Sequence, residues 1–288
     1  MRKQVVACFA LATLVTAVCA PTIRAAADEL VRFDTTPYIM GQIQQRQARE
    51  RGQMPANVPG ATIEAYLSKP EGSGPFPAVV YLHGCNGLST IARQRMAELI
   101  TGWGYVSLVV DSFATRGIQE SCHELVPARQ GDALGALTYL SKLPFVDSKR
   151  IAVMGSSQGG IVALQLASTH DVKLFASPDG LTFKAAVAYY PLCGVATQEL
   201  NIPTLILIGE LDDWSPAKDC ERWMQWRAGN GAPVKLVVYP GAYHAFDFPS
   251  LGDGRLSFGH WLKYDVEAAR RSVLEAHDFL ATQLGPVP

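Results

Sequence analysis

The chain has 288 residues, with 25 Lys and Arg against 26 Asp and Glu, a net charge of -1, and 48% hydrophobic against 18% charged residues. So even a balance gives no electrostatic case for a nucleic-acid partner or an anionic membrane surface. The apolar share suits one sizeable α/β domain with a well-filled core.

Residues 1–27 read as a secretory leader. Arg2 and Lys3 supply a positive start, Val5 to Val18 is apolar and uncharged, and Ala25-Ala26-Ala27 offers a small-residue cleavage site before Asp28. The apolar run is too short for a comfortable membrane span. Export to a periplasm or the medium is expected, with no membrane anchor: Cys8 comes too early for lipid attachment and Cys19 follows bulky Val18. Cys85, Cys122, Cys193 and Cys220 remain after cleavage. In an oxidising compartment four cysteines suggest two disulfides, with three pairings open and buried free thiols as the alternative.

Residues 28–60 are polar and scattered and read as a surface arm, helical at most over Arg46 to Arg51. Residues 61–288 then form the catalytic domain. Thr62 to Leu67 alternates like an antiparallel edge strand, and Gly72 to Pro77 has turn chemistry. Continuous apolar runs at Ala78–Leu82, Tyr105–Val110, Ile151–Met154, Ala185–Tyr190, Thr204–Ile208 and Val234–Tyr239 predict strands covered on both faces. Between them Ile91–Trp103, Ala128–Leu143, Gln158–Ser168 and Ala217–Ala228 have helical composition. A last helix over Asp265–Leu284 carries Val266, Ala269, Val273, Ala276 and Leu280 on one stripe, with Asp265 as N-cap. Strands alternating with helices predict a mostly parallel, doubly wound sheet flanked by helices.

The chemistry centres on Gly155-Ser156-Ser157-Gln158-Gly159, between an apolar strand and a helix. A serine in a strained strand–turn–helix elbow needs neighbours without side chains, and Gly-x-Ser-x-Gly supplies them. A serine hydroxyl is a poor nucleophile without a base in hydrogen-bond reach and a third group orienting that base. In α/β-hydrolases the chain order is Ser, acid, His. His244 follows the last strand, at the end where open α/β sheets place their sites. His83 ends a strand but precedes Gly84 and supports a turn; His170, His260 and His277 lack such a placement. His123, beside Cys122 and Glu124, has no second pair at ligand spacing, so no metal is expected. Gly209-Glu210-Leu211-Asp212-Asp213 puts Asp212 just past a strand as the acid, with Asp213 the alternative and Asp111 a third candidate. The oxyanion hole requires two backbone donors: Gln158 gives one, and Cys85 in His83-Gly84-Cys85-Asn86-Gly87 gives the other.

With these residues in place the chain resembles the dienelactone hydrolase family of α/β-hydrolases, over roughly Ala61 to Leu284. The likeness rests on Pro77 to Gly84, Gly104-Tyr105-Val106, Asp147 to Gly159, Gly209 to Asp213 and Tyr243-His244-Ala245-Phe246-Asp247. It implies the α/β-hydrolase fold, a triad of Ser157, His244 and Asp212, an oxyanion hole from the Cys85 and Gln158 amides, and no cofactor. The namesake enzymes carry cysteine at the elbow and glutamate at the position of Gly84, so their enol-lactone substrate does not transfer to a chain with serine and glycine there. The family's carboxylate-holding arginines find one near match, Arg116, offset by one residue; Trp214, beside the acid, is a further substrate-binding candidate. The loop positions of the cysteines lead us to expect Cys85–Cys122, anchoring the oxyanion loop, and Cys193–Cys220, tying a post-strand loop to the helix after Asp212. Each bridge would be worth about 3 to 4 kcal/mol in the chain-entropy picture.

The expected function is an exported serine hydrolase, a carboxylesterase on small ester or lactone substrates that works through an acyl-enzyme and loses activity as the His244 imidazole protonates. One alternative is peptide or amide cleavage on the same triad. Another, of a different class, is a non-catalytic binding protein whose Trp214, Trp223, Trp226 and Trp261 line a ligand cleft.

Overall fold

A computed structural model describes residues 28–38, 45–46, 49–52, 59–124, 129–168, 172–173, 175 and 180–288. The leader read from residues 1–27, and His170, lie outside them. The strands are β1 (Glu29–Asp34), β2 (Thr62–Ser68), β3 (Phe76–Leu82), β4 (Val106–Asp111), β5 (Val146–Ser156), β6 (Ala186–Tyr189), β7 (Thr204–Gly209) and β8 (Val234–Tyr239). They form one sheet in the order β1-β2-β4-β3-β5-β6-β7-β8. β2 pairs antiparallel with both its neighbours, and β4 through β8 run parallel. Every residue of β3, β4, β6 and β7 is buried, as their unbroken apolar sequences require. Flanking the sheet are α1 (Thr90–Gly102), α2 (Arg129–Leu140), α3 (Gln158–Leu166), α4 (Ala217–Arg227) and α5 (Val266–Leu284). Ser89 caps α1 by accepting from the Ala92 amide, and Asp265 caps α5 by accepting from that of Ala268. This is the α/β-hydrolase fold.

Three features depart from the sequence reading. The expected arm enters the sheet: Glu29–Asp34 pairs along β2, burying Val31 and Phe33 while Leu30 and Arg32 stay out. Strand β5 begins five residues early, through the polar Asp147-Ser148-Lys149-Arg150, with a register shift against β3 between Phe76 and Ala78. Asp147 steadies that segment by accepting from the Lys149 amide and pairing with Arg150. A small hairpin of β9 (Arg255–Ser257) and β10 (His260–Leu262) stands beyond β8, tied back by a bridge between Leu262 and His244.

Among the described residues two disulfides form, Cys85–Cys122 and Cys193–Cys220, joining positions 37 and 27 residues apart. Both are the expected pairs. No helix of the described residues is long and apolar enough to cross a membrane.

Candidate active site

At the C-terminal end of β5 the chain turns through Ser157, whose φ of 55° and ψ of -118° lie where side chains rarely go. The flanking glycines permit the turn. A Cβ on Gly155 would sit 2.2 Å from the Gly159 carbonyl oxygen, and one on Gly159 would sit 2.1 Å from that of Leu82. The Ser157 amide donates to the Tyr189 carbonyl at 2.9 Å, so β6 holds the elbow in place.

His244 lies on the loop after β8, buried, with Nε2 3.0 Å from Ser157 Oγ and Nδ1 2.7 Å from Asp212 Oδ2. Asp212, past the end of β7, is buried too, and its Oδ1 accepts from the amides of Trp214 (3.0 Å) and Ser215 (2.7 Å). With Oδ1 held by backbone, Oδ2 is presented to the imidazole. Asp213 instead points outward, more than half exposed, with Oδ1 3.4 Å from His260 Nδ1. Asp111 closes its own turn, accepting from the amides of Phe113 and Ala114. Of the three acids considered, Asp212 alone meets His244.

The loop after β3 comes against the elbow, where a Cβ on Gly84 would lie 3.4 Å from that of Ser157. Cys85 sits in that turn, its carbonyl accepting from the Ser121 amide at 2.9 Å. Gln158 opens α3, so its N–H is one of the first-turn donors that a helix leaves without an internal partner. The Gln158 side chain turns inward, donating to the Ser121 and Glu124 carbonyls and accepting from Arg129.

His83 plays the supporting part expected of it. Its Nδ1 donates to the Gly84 carbonyl at 2.7 Å and its Nε2 accepts from the Ser112 amide at 3.2 Å, which fixes the neutral ring. Burial, helped by the Arg129 charge, pushes its pKa down from 6.5 to about 3. The unfolded chain therefore takes up a proton that the fold refuses. His83 weighs nothing against stability above pH 6.5, and stability drains away as the pH falls from there toward 3, by at most about 1.4 kcal/mol per pH unit. His83→Gln should flatten this acid limb in urea unfolding between pH 7 and 4.5; curves parallel to the parent's would refute the assignment.

Two hollows meet at Ser157. The larger, of about 320 Å³, is lined by Tyr81, Asn86, Phe248, Leu251, Arg255 and Leu262 among others; the smaller, of about 200 Å³, by Ser121, His123, Ile161 and Leu192 among others. Ser157, Cys85 and Trp214 border both. The Trp214 indole lies between two imidazoles, its ring centre 5.1 Å from that of His244 and 4.7 Å from that of His260, the latter stacked at 14°.

The other tryptophans do not share this place. Trp223 is buried, donating to the Thr197 carbonyl, while Trp226 and Trp261 are exposed, so the four do not line one cleft. Arg116 must also be corrected. Its guanidinium makes a bidentate pair with Asp132 at 2.7 and 2.8 Å and donates to the Ser112 carbonyl, because the wholly buried Asp132 carboxylate requires a cation. It does not reach the hollows. The sequence reading missed the polar floor. Tyr81 donates to Ser156 Oγ at 3.0 Å, and Tyr190, at a φ of 37°, donates to buried Asp247, which pairs with Arg95 at 3.3 Å. Tyr190 also packs edge-on to His244, their ring centres 4.6 Å apart.

Comparison with known proteins agrees with this architecture. The family model described as "Dienelactone hydrolase family" matches residues 63–284. A protein of Bradyrhizobium sp named as a 2-oxo-3-(5-oxofuran-2-ylidene)propanoate lactonase is 24% identical over 199 residues, 65% of this chain and 80% of that one. A protein of Yersinia pestis named as a carboxymethylenebutenolidase is 28% identical over 212 residues, 65% of this chain and 75% of that one. Acylamino-acid-releasing enzyme 1 of Oryza sativa is 24% identical over 255 residues, but this chain spans only 32% of its length. Among solved structures, a dienelactone hydrolase-like promiscuous phosphotriesterase from metagenomic libraries superposes with a TM-score of 0.62 at 20% identity, covering 90% of this chain and 100% of that one. An esterase of Pyrobaculum calidifontis does so with a TM-score of 0.58 at 19% identity, covering 77% and 82%. By its matched residues and its fold, the chain belongs to the dienelactone hydrolase family of α/β-hydrolases.

Proposed function

We propose that the protein is an exported carboxylic-ester hydrolase that works through an acyl-enzyme on small esters or lactones. The observation that carries this is the unbroken line from Ser157 Oγ to His244 Nε2 at 3.0 Å, and from His244 Nδ1 to Asp212 at 2.7 Å. Ser157 Oγ attacks the ester carbonyl while His244 Nε2 takes its proton, and Asp212 stabilises the imidazolium. The Cys85 and Gln158 amides receive the oxyanion. His244 then returns the proton to the departing alkoxide, and a water activated by the same imidazole cleaves the acyl-enzyme. The two hollows that border Ser157 give room for both the acyl and the alcohol part of a small ester. The lactone names of two relatives keep cyclic esters within this reading. Export is supported by the leader-like residues 1–27 together with two disulfides.

Amide cleavage is the second reading, favoured by the likeness to an acylamino-acid-releasing enzyme. A panel of p-nitrophenyl esters, lactones and p-nitroanilides, offered to the protein without residues 1–27, separates the two. Short-chain esters or lactones should be turned over and the anilides far more slowly. Faster anilide turnover would select the second reading. No turnover, with no fluorophosphonate labelling at Ser157, would leave a binding protein.

A further inference from the structure

Buried charge outside the triad carries an inference that rests on the hydrolase reading above. Arg129, the first residue of α2, is almost wholly buried. Its Nη1 donates to Gln158 Oε1 at 2.9 Å and its Nη2 to the His83 carbonyl at 2.8 Å. Its Nε has no hydrogen-bond partner among the described residues, and its guanidinium lies 5.2 Å from the Phe113 ring centre. Among the described residues no carboxylate pairs with it directly, and Asp132, three residues on, gives both its oxygens to Arg116. Burial lowers the Arg129 pKa to about 10, against the raising effect of Asp132, so it remains a cation at neutral pH.

An arginine that only stapled α2 to the sheet could use any nearby carbonyl. This one holds the residues that bracket the two oxyanion donors. Gln158 carries one of the amides, and His83 stands two residues before the other, on Cys85. The two loops touch between its contacts, for a Cβ on Gly159 would come 2.7 Å from the His83 carbonyl oxygen. We propose that Arg129 is a positioning residue for the oxyanion hole: its guanidinium clasps both donor loops and sets a fixed positive charge behind them. A desolvated cation with no anion in contact is costly. Negative charge developing on the substrate oxygen offsets that cost in the transition state and not in the neutral ester complex. The effect should fall on kcat rather than KM.

The experiment compares Arg129→Met, Arg129→Lys and Gln158→Met with the parent in ester hydrolysis, with folding checked by near-UV circular dichroism. Arg129→Met should lose about 100 to 1000-fold in kcat, the scale of one lost oxyanion donor, with KM within about threefold. Arg129→Lys, keeping the charge and part of the clasp, should fall between it and the parent. Gln158→Met leaves the backbone amide and cuts one side of the clasp, so it should also lose kcat. Affinity for a boronic acid, whose adduct with Ser157 is tetrahedral and anionic, should drop in step with kcat/KM. A folded Arg129→Met within about threefold of the parent in kcat, or altered only in KM, would overturn the proposal. If Arg129→Met does not fold, a Gln158→Met variant with parental kcat overturns it instead. Failure of the hydrolase reading looks different: the parent itself neither turns over esters nor labels at Ser157.

Discussion

Ser157→Ala should lower kcat on the best ester of the panel by about a millionfold and abolish fluorophosphonate labelling, with folding and stability close to the parent's. A change this size is expected where nucleophile, base and orienter act as one unit, since removing the serine leaves the other two nothing to activate. The fold should tolerate it. Ser157 Oγ is bonded to His244, while the elbow itself is held by backbone contacts and the glycines around it. Some acceleration over water should persist, because the amides of the oxyanion loop and elbow do not depend on the hydroxyl. Parental turnover or labelling in this variant would move the chemistry to another residue.

Asp212→Asn should cost about ten-thousandfold in kcat, and Asp213→Asn almost nothing. The size follows from which atoms are already committed. Oδ1 of Asp212 accepts from two backbone amides, so in the variant the carboxamide oxygen must take that place and the NH2 must face His244 Nδ1. The ring can then only accept at Nδ1, which puts its proton on Nε2, facing Ser157, where a lone pair is required. Asp213, exposed and facing His260, imposes no tautomer on the base. The two variants assayed side by side on one ester settle the assignment, and equal losses would refute it.

The parts of this protein legible in its sequence are those whose environment is uniform along the chain. β3, β4, β6 and β7 are covered on both faces, so burial appears as unbroken apolar letters. Ser157, Asp212 and His244 were legible because each follows a strand and a parallel sheet gathers its strand ends. β1 was not, because an edge strand shows alternation only, and two buried residues out of six, with Leu30 exposed, are too few to see. The three-residue strands of the β9–β10 hairpin are too short for an alternation to stand out from the sequence around it. Partners of buried polar groups were also hidden. Arg129 meets the His83 carbonyl across 46 residues, and Tyr190 meets Asp247 across 57. Nothing local marks such pairs; only the finished packing chooses them. Arg116 shows the converse: a basic residue near an expected position was claimed by a buried acid nearer at hand.

Trp214 borders both hollows that meet at Ser157 and lies against the His244 ring. An indole so seated is a built-in optical gauge, for a guest in either chamber would change its surroundings. Each half of a bound ester would thus leave its own imprint on the emission of a single chromophore.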